Sequence, residues 1–301
     1  MKILLLGSNG VIGNGVFLNF KKNQVIKVNS QSYNYNLGSY NLKFFKKCDY
    51  FIHAAGVTEE EISKYGKKKT LRRANIATLK LLEHLIKKGC KNIIYISSLR
   101  VYSDFSQTLD ERKTKLDPSE IYKFCHLETE KVFKKISLKK KIKYLILRPG
   151  AVYGFPYIKY KINRLKLIPY AFPLSLYLYK NIKLKSSGEQ MRNFCLNFDI
   201  GRNVRKWIKE EKKINLISNV KGDKTISVKK FALLCIKIYQ KIFKFKANLE
   251  IPSSLNTKKM KKKLTVHQNL KLKPIGNLDI FLINFFKLLK EGKLQRYQKL
   301  K

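Results

Sequence analysis

"ILLLGSNGVIG", residues 3 to 13, is the stretch that decides how this chain folds. Ile3 to Leu6 form an unbroken apolar run, which reads as a strand covered on both faces rather than one with a wet side. Gly7, Gly10 and Gly13 follow at once, with Val11 and Ile12 between them starting a helix. A glycine loop in that setting holds a pyrophosphate on backbone N–H groups at a helix N-terminus. Four apolar residues are too few for a secretory signal core, so a first buried strand is expected here rather than a leader.

Short apolar runs of the same kind recur at 24–29 ("QVIKVN"), 49–56 ("DYFIHAAG"), 91–98 ("KNIIYISS") and 142–150 ("IKYLILRPG"). Between the third and fourth strands, "RRANIATLKLLEHLIKKGC" (72–90) carries apolar residues at helical spacing and ends on Gly89. Strands alternating with helices imply right-handed crossovers and a parallel sheet of the α/β class. A dinucleotide fold usually ends its second strand with a carboxylate for the adenosine ribose, and Asn29 stands there instead. Asparagine still bonds a hydroxyl but does not repel a 2′-phosphate, which leaves NAD and NADP both open.

The 301 residues, 44% apolar and 12% aromatic, are enough to bury a full core in one or two domains. Cys48, Cys90, Cys125, Cys195 and Cys235 are odd in number and lack a CxxC pair, which fits reduced thiols in a cytoplasmic protein. His53, His84, His126 and His267 are equally dispersed, and no metal site is expected. The net charge of +45 is spread along the whole chain, with a strong run at 256–264. Lysines fill helix surfaces without clustering among aromatics, so nucleic acid is not an expected partner, while peripheral contact with an anionic membrane stays open. The apolar stretch 162–185 is broken by Arg164, Lys166 and Lys180 and by Pro169 and Pro173, so it does not read as a membrane span. Further on, Leu278, Phe281, Leu282, Phe285, Leu288 and Leu289 share one helical stripe. Such a stripe packs on the body of the protein or, with the basic "RYQKLK" behind it, lies on a bilayer surface.

Several signatures stand in one order: "GSNGVIG", "DYFIHAAG", Asn75 in "RRANIATLKLLEH", "YISSLRVYS", "LDERKTKLDPSEIY", "LRPGAVYG" and "GEQMRNFCLNFDI". Through them the chain resembles the NAD-dependent epimerase/dehydratase branch of the extended short-chain dehydrogenase/reductases, over about residues 1–240. The resemblance implies a Rossmann-type, doubly wound sheet at 1–155 that binds NAD or NADP. It also implies a smaller C-terminal lobe, mainly 156–301, over a nucleotide-sugar substrate, and a homodimer. By the same resemblance Gly7, Gly10, Val11, Ile12 and Gly13 hold the cofactor phosphates, Ala54, Ala55 and Gly56 pass beside its ribose, and Pro149 with Gly150 turns beside the nicotinamide. Ser98 bonds the reacting oxygen, Tyr122 is the base, Asn75 steadies the active-site strand, and Arg192 contacts the substrate's phosphates.

Hydride transfer from a carbinol carbon needs a group to take the hydroxyl proton. A phenol has an ordinary pKa of about 10, so it needs a neighbouring cation to act near neutrality. The family supplies a lysine one helical turn after the tyrosine, and here that place holds His126, which is shorter and mostly neutral at pH 7. Lys123 points about 100° away round the helix and is a poor replacement, whereas Arg100, where the family keeps a small residue, is the better candidate for the missing charge and, with Arg192, a candidate for binding the substrate. Ser98 is followed by Leu99 and Arg100 rather than by the acid that dehydratases of the family carry, which disfavours dehydration. The expected activity is therefore epimerisation or reduction of a nucleotide sugar of surface-polysaccharide metabolism. The alternative is a cofactor-binding homologue that has lost turnover with the lysine.

Overall fold

Side chains alternate across a strand, so each apolar run divides between two helical layers. In the computed structural model, which describes residues 1–105, 107–156, 162, 165–211, 213–252 and 263–293, this division is complete. The basic run 256–262, Arg164 and the tail 294–301, all used in the sequence reading, lie outside the described residues. The first half of the chain runs β1 (Ile3–Leu6), α1 (Val11–Phe17), β2 (Val25–Val28), β3 (Tyr50–His53), α2 (Glu59–Arg72), α3 (Thr78–Lys87), β4 (Asn92–Ile96), α4 (Ile121–Lys140) and β5 (Lys143–Pro149). The second half continues with β6 (Ala151–Tyr153), α5 (Ile168–Tyr179), β7 (Met191–Leu196), α6 (Asn197–Lys209), β8 (Leu216–Val220), β9 (Lys224–Ser227), α7 (Val228–Phe243) and α8 (Leu278–Lys290).

The six-stranded sheet has the order β2-β1-β3-β4-β5-β8, and every pairing in it is parallel. Leu4, Leu6, Phe51, Ile93, Tyr95 and Ile146 pack toward α3 and α4. Ile3, Leu5, Ile52, Ile94, Leu145 and Leu147 pack toward α1 and α6, around the buried Trp207. The expected doubly wound Rossmann-type arrangement is thus present. From β1 the chain steps outward to β2 and then crosses back to β3 on the far side of β1, so a crevice opens at the carboxyl ends of β1 and β3.

The chain leaves this layer after Pro149 and returns to it at 197–220, because α6 covers the sheet and β8 extends it next to β5. The rest of the chain, on either side of that return, forms a second packed body. It holds the small sheet β6-β7-β9 and the helices α5, α7 and α8, packed round Tyr153, Tyr170, Phe194, Phe231 and Phe285. The stripe Leu278, Phe281, Leu282, Phe285, Leu288 and Leu289 is buried in this core and offers no face to a bilayer. Among the described residues no helix is long and apolar enough to cross a membrane.

Candidate active site

The glycine loop sits at the mouth of the crevice, and its three glycines do different things. Gly7 has φ +87°, and a Cβ there would come within 2.8 Å of the Ala54 carbonyl. A Cβ on Gly13 would fall on the Gly7 carbonyl oxygen. A Cβ on Gly10 would meet only that oxygen, at an ordinary 3.5 Å, so the fold itself does not demand glycine there. A phosphate approaching the backbone would set its own demand for glycine at that position. Val11, Ile12 and Gly13 form the first turn of α1, whose leading N–H groups have no partner within the helix. Asn29 is exposed just past β2, its side chain accepting the Gln31 N–H at 3.0 Å. Loop, first turn and strand end together fit an extended dinucleotide.

The end of β3, Ala54 to Gly56, is fixed by an arginine that sequence reasoning passed over. Arg73, 2% exposed, donates from Nη2 to the Ala55 carbonyl at 2.5 Å, and from Nη1 to Glu61 at 2.5 Å and to the Tyr35 hydroxyl at 3.0 Å. Burial opposes its charge, but the hydroxyl of Tyr40 and the carboxylate of Glu61 hold its pKa above the ordinary value. Its side chain reaches the strand because residues 73–77 wind as one π-helical turn between α2 and α3. That turn also rotates Asn75 away, and its amide donates to Glu128 on α4 at 2.9 Å. The side-chain bond to the Ala55 carbonyl thus comes from Arg73, while that of Asn75 goes to α4.

Ser98 follows β4 and caps a short turn, its Oγ accepting the Arg100 N–H at 3.2 Å. Tyr122 lies in the first turn of α4 with the His126 ring 4.6 Å from its own, centroid to centroid. His126 is 4% exposed, and its Nδ1 is 2.7 Å from the Tyr95 hydroxyl on β4. Its ring lies so close to the end of β3 that a Cβ on Gly56 would be 2.9 Å from Cε1. Four residues on, Glu130 is buried, accepting from Ser97 at 2.7 Å and from both Nε and Nη2 of Arg148 at 2.9 and 2.6 Å. Burial raises the pKa of Glu130, but Arg148 outweighs it and holds the carboxyl below its ordinary value.

The two other candidate cations divide as the helix geometry predicts. Lys123 turns away to Asp117 at 2.5 Å and Glu120 at 3.0 Å. The Arg100 guanidinium lies 4.4 Å from the centroid of the Tyr122 ring, held by Glu59 at 2.5 Å and Glu120 at 2.7 Å. Arg192, on β7, donates to its neighbour's carbonyl at Met191 and makes no ion pair among the described residues. Burial and then the charge of Arg100 hold its pKa below the ordinary arginine value. Pro149 ends β5 at the same edge. Contacts thus run from Gly13 through Gly7, Ala55, Gly56, His126 and Tyr122 to Arg100, whose charge acts in turn on Arg192.

A model described as the NAD dependent epimerase/dehydratase family matches residues 3–217. The chain belongs to that family. Its members are enzymes, and the family is NAD-dependent. Among solved structures the chain is similar to a UDP-glucose 4-epimerase of Thermotoga maritima bound to UDP-glucose, at 18% identity and a TM-score of 0.74, over 97% of this chain and 99% of that one. It is similar too to a UDP-glucuronic acid 4-epimerase from Bacillus cereus in complex with UDP-glucuronic acid and NAD, at 19% identity and 0.75, over 97% and 100%. A third is RMD from Pseudomonas aeruginosa complexed with NADPH, at 15% identity and 0.73, over 97% and 100%. At these identities the likeness is one of fold. No curated protein sequence matches the chain.

One cluster of metal-ligand type lies apart from this edge. Ligand atoms of Asp110, Glu111 and His267 fall within 4.8 Å of one another. Glu111 is already engaged, however, with Oε1 accepting the N–H groups of Asn219 and Asn269 at 2.7 and 2.9 Å and Oε2 lying 2.7 Å from His267 Nδ1. The cluster ties the 264–270 segment to the sheet.

Proposed function

We propose that the protein is an NAD(P)-dependent epimerase or reductase of a nucleotide sugar. What supports this reading is the run of contacts from the glycine loop through Gly56 and His126 to Tyr122, the turn shared by Ser98 and Arg100, and Arg192, a half-buried cation with no acid partner among the described residues. Bound nicotinamide supplies the hydride acceptor. Tyr122 then takes the proton of the reacting sugar hydroxyl at its phenol oxygen, Ser98 bonds the same oxygen, and Arg192 bonds the diphosphate. His126 is read as orienting the Tyr122 side of α4 through Tyr95 and Gly56 rather than as a lysine equivalent. The solved relatives carry UDP-sugars with NAD in one case and NADPH marks another, which supports the substrate class and leaves the cofactor between the two.

The five cysteines are free and buried, in keeping with a reducing cytoplasm. A homodimer belongs to the same proposal. With the α8 stripe buried, contact with an anionic membrane rests on net charge alone. The test is turnover and binding with a panel of UDP- and dTDP-sugars at saturating NAD or NADP. Binding of both ligands with measurable epimerisation or reduction supports the reading; dinucleotide binding with no turnover on any sugar favours the alternative, a homologue that retains only the cofactor site.

A further inference from the structure

The lysine that would lend Tyr122 its charge is missing from α4, yet a guanidinium lies 4.4 Å from the centre of the Tyr122 ring. We propose that Arg100, reaching from the turn after Ser98, is the cation that supports Tyr122 as a base. This rests on the reading of Tyr122 as the base of the reaction. Three features carry it. The backbone N–H of Arg100 is bonded to Ser98 Oγ, so the arginine and the expected oxygen-binding serine are set by one short turn. Glu59 at the start of α2 and Glu120 just before α4 grip the guanidinium from two sides and fix it on the ring face, where a cation is attracted by the ring itself. Lys123, the only other basic side chain on that turn of the helix, is turned away by Asp117.

The titratable and charged groups near Tyr122 are Arg100 from the 99–101 turn, His126 from α4 itself, the Tyr95 phenol from β4 and, through Arg100, the carboxylates of Glu59 and Glu120. The side chains of Glu59 and Glu120 are 60% and 50% exposed, so water screens them more than it screens the stacked guanidinium. Removing the cation should raise the phenol's pKa, and removing one of the gripping acids should lower it. This opposition separates an electrostatic role from a structural one.

The measurement is an ultraviolet tyrosinate titration, reading position 122 as the difference between each protein and its Tyr122→Phe counterpart, since the chain holds 17 tyrosines. Arg100→Gln is expected to shift the difference titration upward by about one pH unit, Arg100→Lys to restore part of it, and Glu120→Gln to shift it downward. An unchanged titration in both Arg100→Gln and Glu120→Gln, or shifts in the same direction, overturns the proposal. Should Arg100→Gln fail to fold by circular dichroism, the Glu120→Gln arm still decides. No substrate is needed, so a chain that turns over no nucleotide sugar would fail the functional reading while leaving this one to be judged. With a substrate in hand, the ascending limb of the kcat/KM profile should move with the titration, about tenfold slower at pH 7 for each unit upward.

Discussion

At the glycine-loop end of the cleft the chain works by leaving atoms out: Gly7 and Gly13 are empty because backbone of the same chain fills the space, and Gly10 is empty toward the outside. At the Tyr122 end it works by adding side chains, a buried imidazole bonded to Tyr95 and an arginine stacked on a phenol. The first end is set by sterics, which at Gly7 and Gly13 leave no room for a side chain. The second is set by charge and by hydrogen bonds between side chains. The comparison teaches that cofactor binding and turnover should be separable by mutation.

The largest effect should come from closing the steric end. Gly13→Ala places a methyl on the Gly7 carbonyl oxygen, so folded protein should be lost, as circular dichroism would show. Gly10→Leu should instead keep a near-parental Tm while calorimetry finds no dinucleotide binding; retained affinity would mean the loop is not the phosphate site. Next, Tyr122→Phe should lower kcat by about 10²–10⁴, the usual range for a lost proton-transfer group, with dinucleotide affinity unchanged. A variant as active as its parent would remove the base assignment. Arg192→Ala should weaken nucleotide-sugar binding by about 1.5–3 kcal/mol, the range for bonds to charged groups, and spare the dinucleotide. Equal loss of both ligands would erase the distinction between the two ends.

Smaller effects probe the floor they share. Burial, and then the charge of Arg73, lower the pKa of His53 to about 3. In the unfolded chain it takes up a proton near pH ~6.5. Between those values the unfolded state holds more protons, so stability should fall as pH drops from about 6.5 toward 3, by at most about 1.4 kcal/mol per pH unit. His53→Phe should flatten that part of the denaturation curve, and an unchanged slope would show that His53 is not the group responsible. Smallest of all, His126→Lys should change turnover at pH 7 by less than about threefold, because Arg100 already stands at the ring; a tenfold gain would show that the charge was missing after all.

The sequence displays what depends on local pattern. Continuous apolar runs marked β1 to β5, and glycine spacing marked the loop, because burial on two faces and a tight turn each leave a signature in neighbouring residues. β8 was not legible: Ser218 and Asn219 look like a loop, but they are fully buried, with the Asn219 amide bonded to the carbonyls of Leu109 and His267. Those partners lie far off in the chain. Arg73 was hidden for a related reason, since one extra residue in the π-helical turn changes which side chain faces the strand, and no spacing rule announces it. Likewise the Tyr95–His126 bond joins residues that periodicity treats as unrelated core and surface. The departure at His126 was visible at once, but the way Arg100 settles over Tyr122 depended on Glu59 and Glu120, from two separate elements.

The crossing of α1 and α6 bears on how this molecule is able to move. Gly15 and Gly201 face each other with no side chain between them, Asn197 donates to the Val11 carbonyl at 2.7 Å, and Asn19 bonds both Gly15 and Phe198. Strand β7, which bears Arg192, runs directly into α6. The glycine loop and Arg192 are therefore mounted on one stiff bracket, and the span between them is a gauge of set length. On the proposed function, a longer or shorter ligand could not be fitted by rocking these two ends apart. Any adjustment of size would have to come from groups mounted elsewhere than on this bracket.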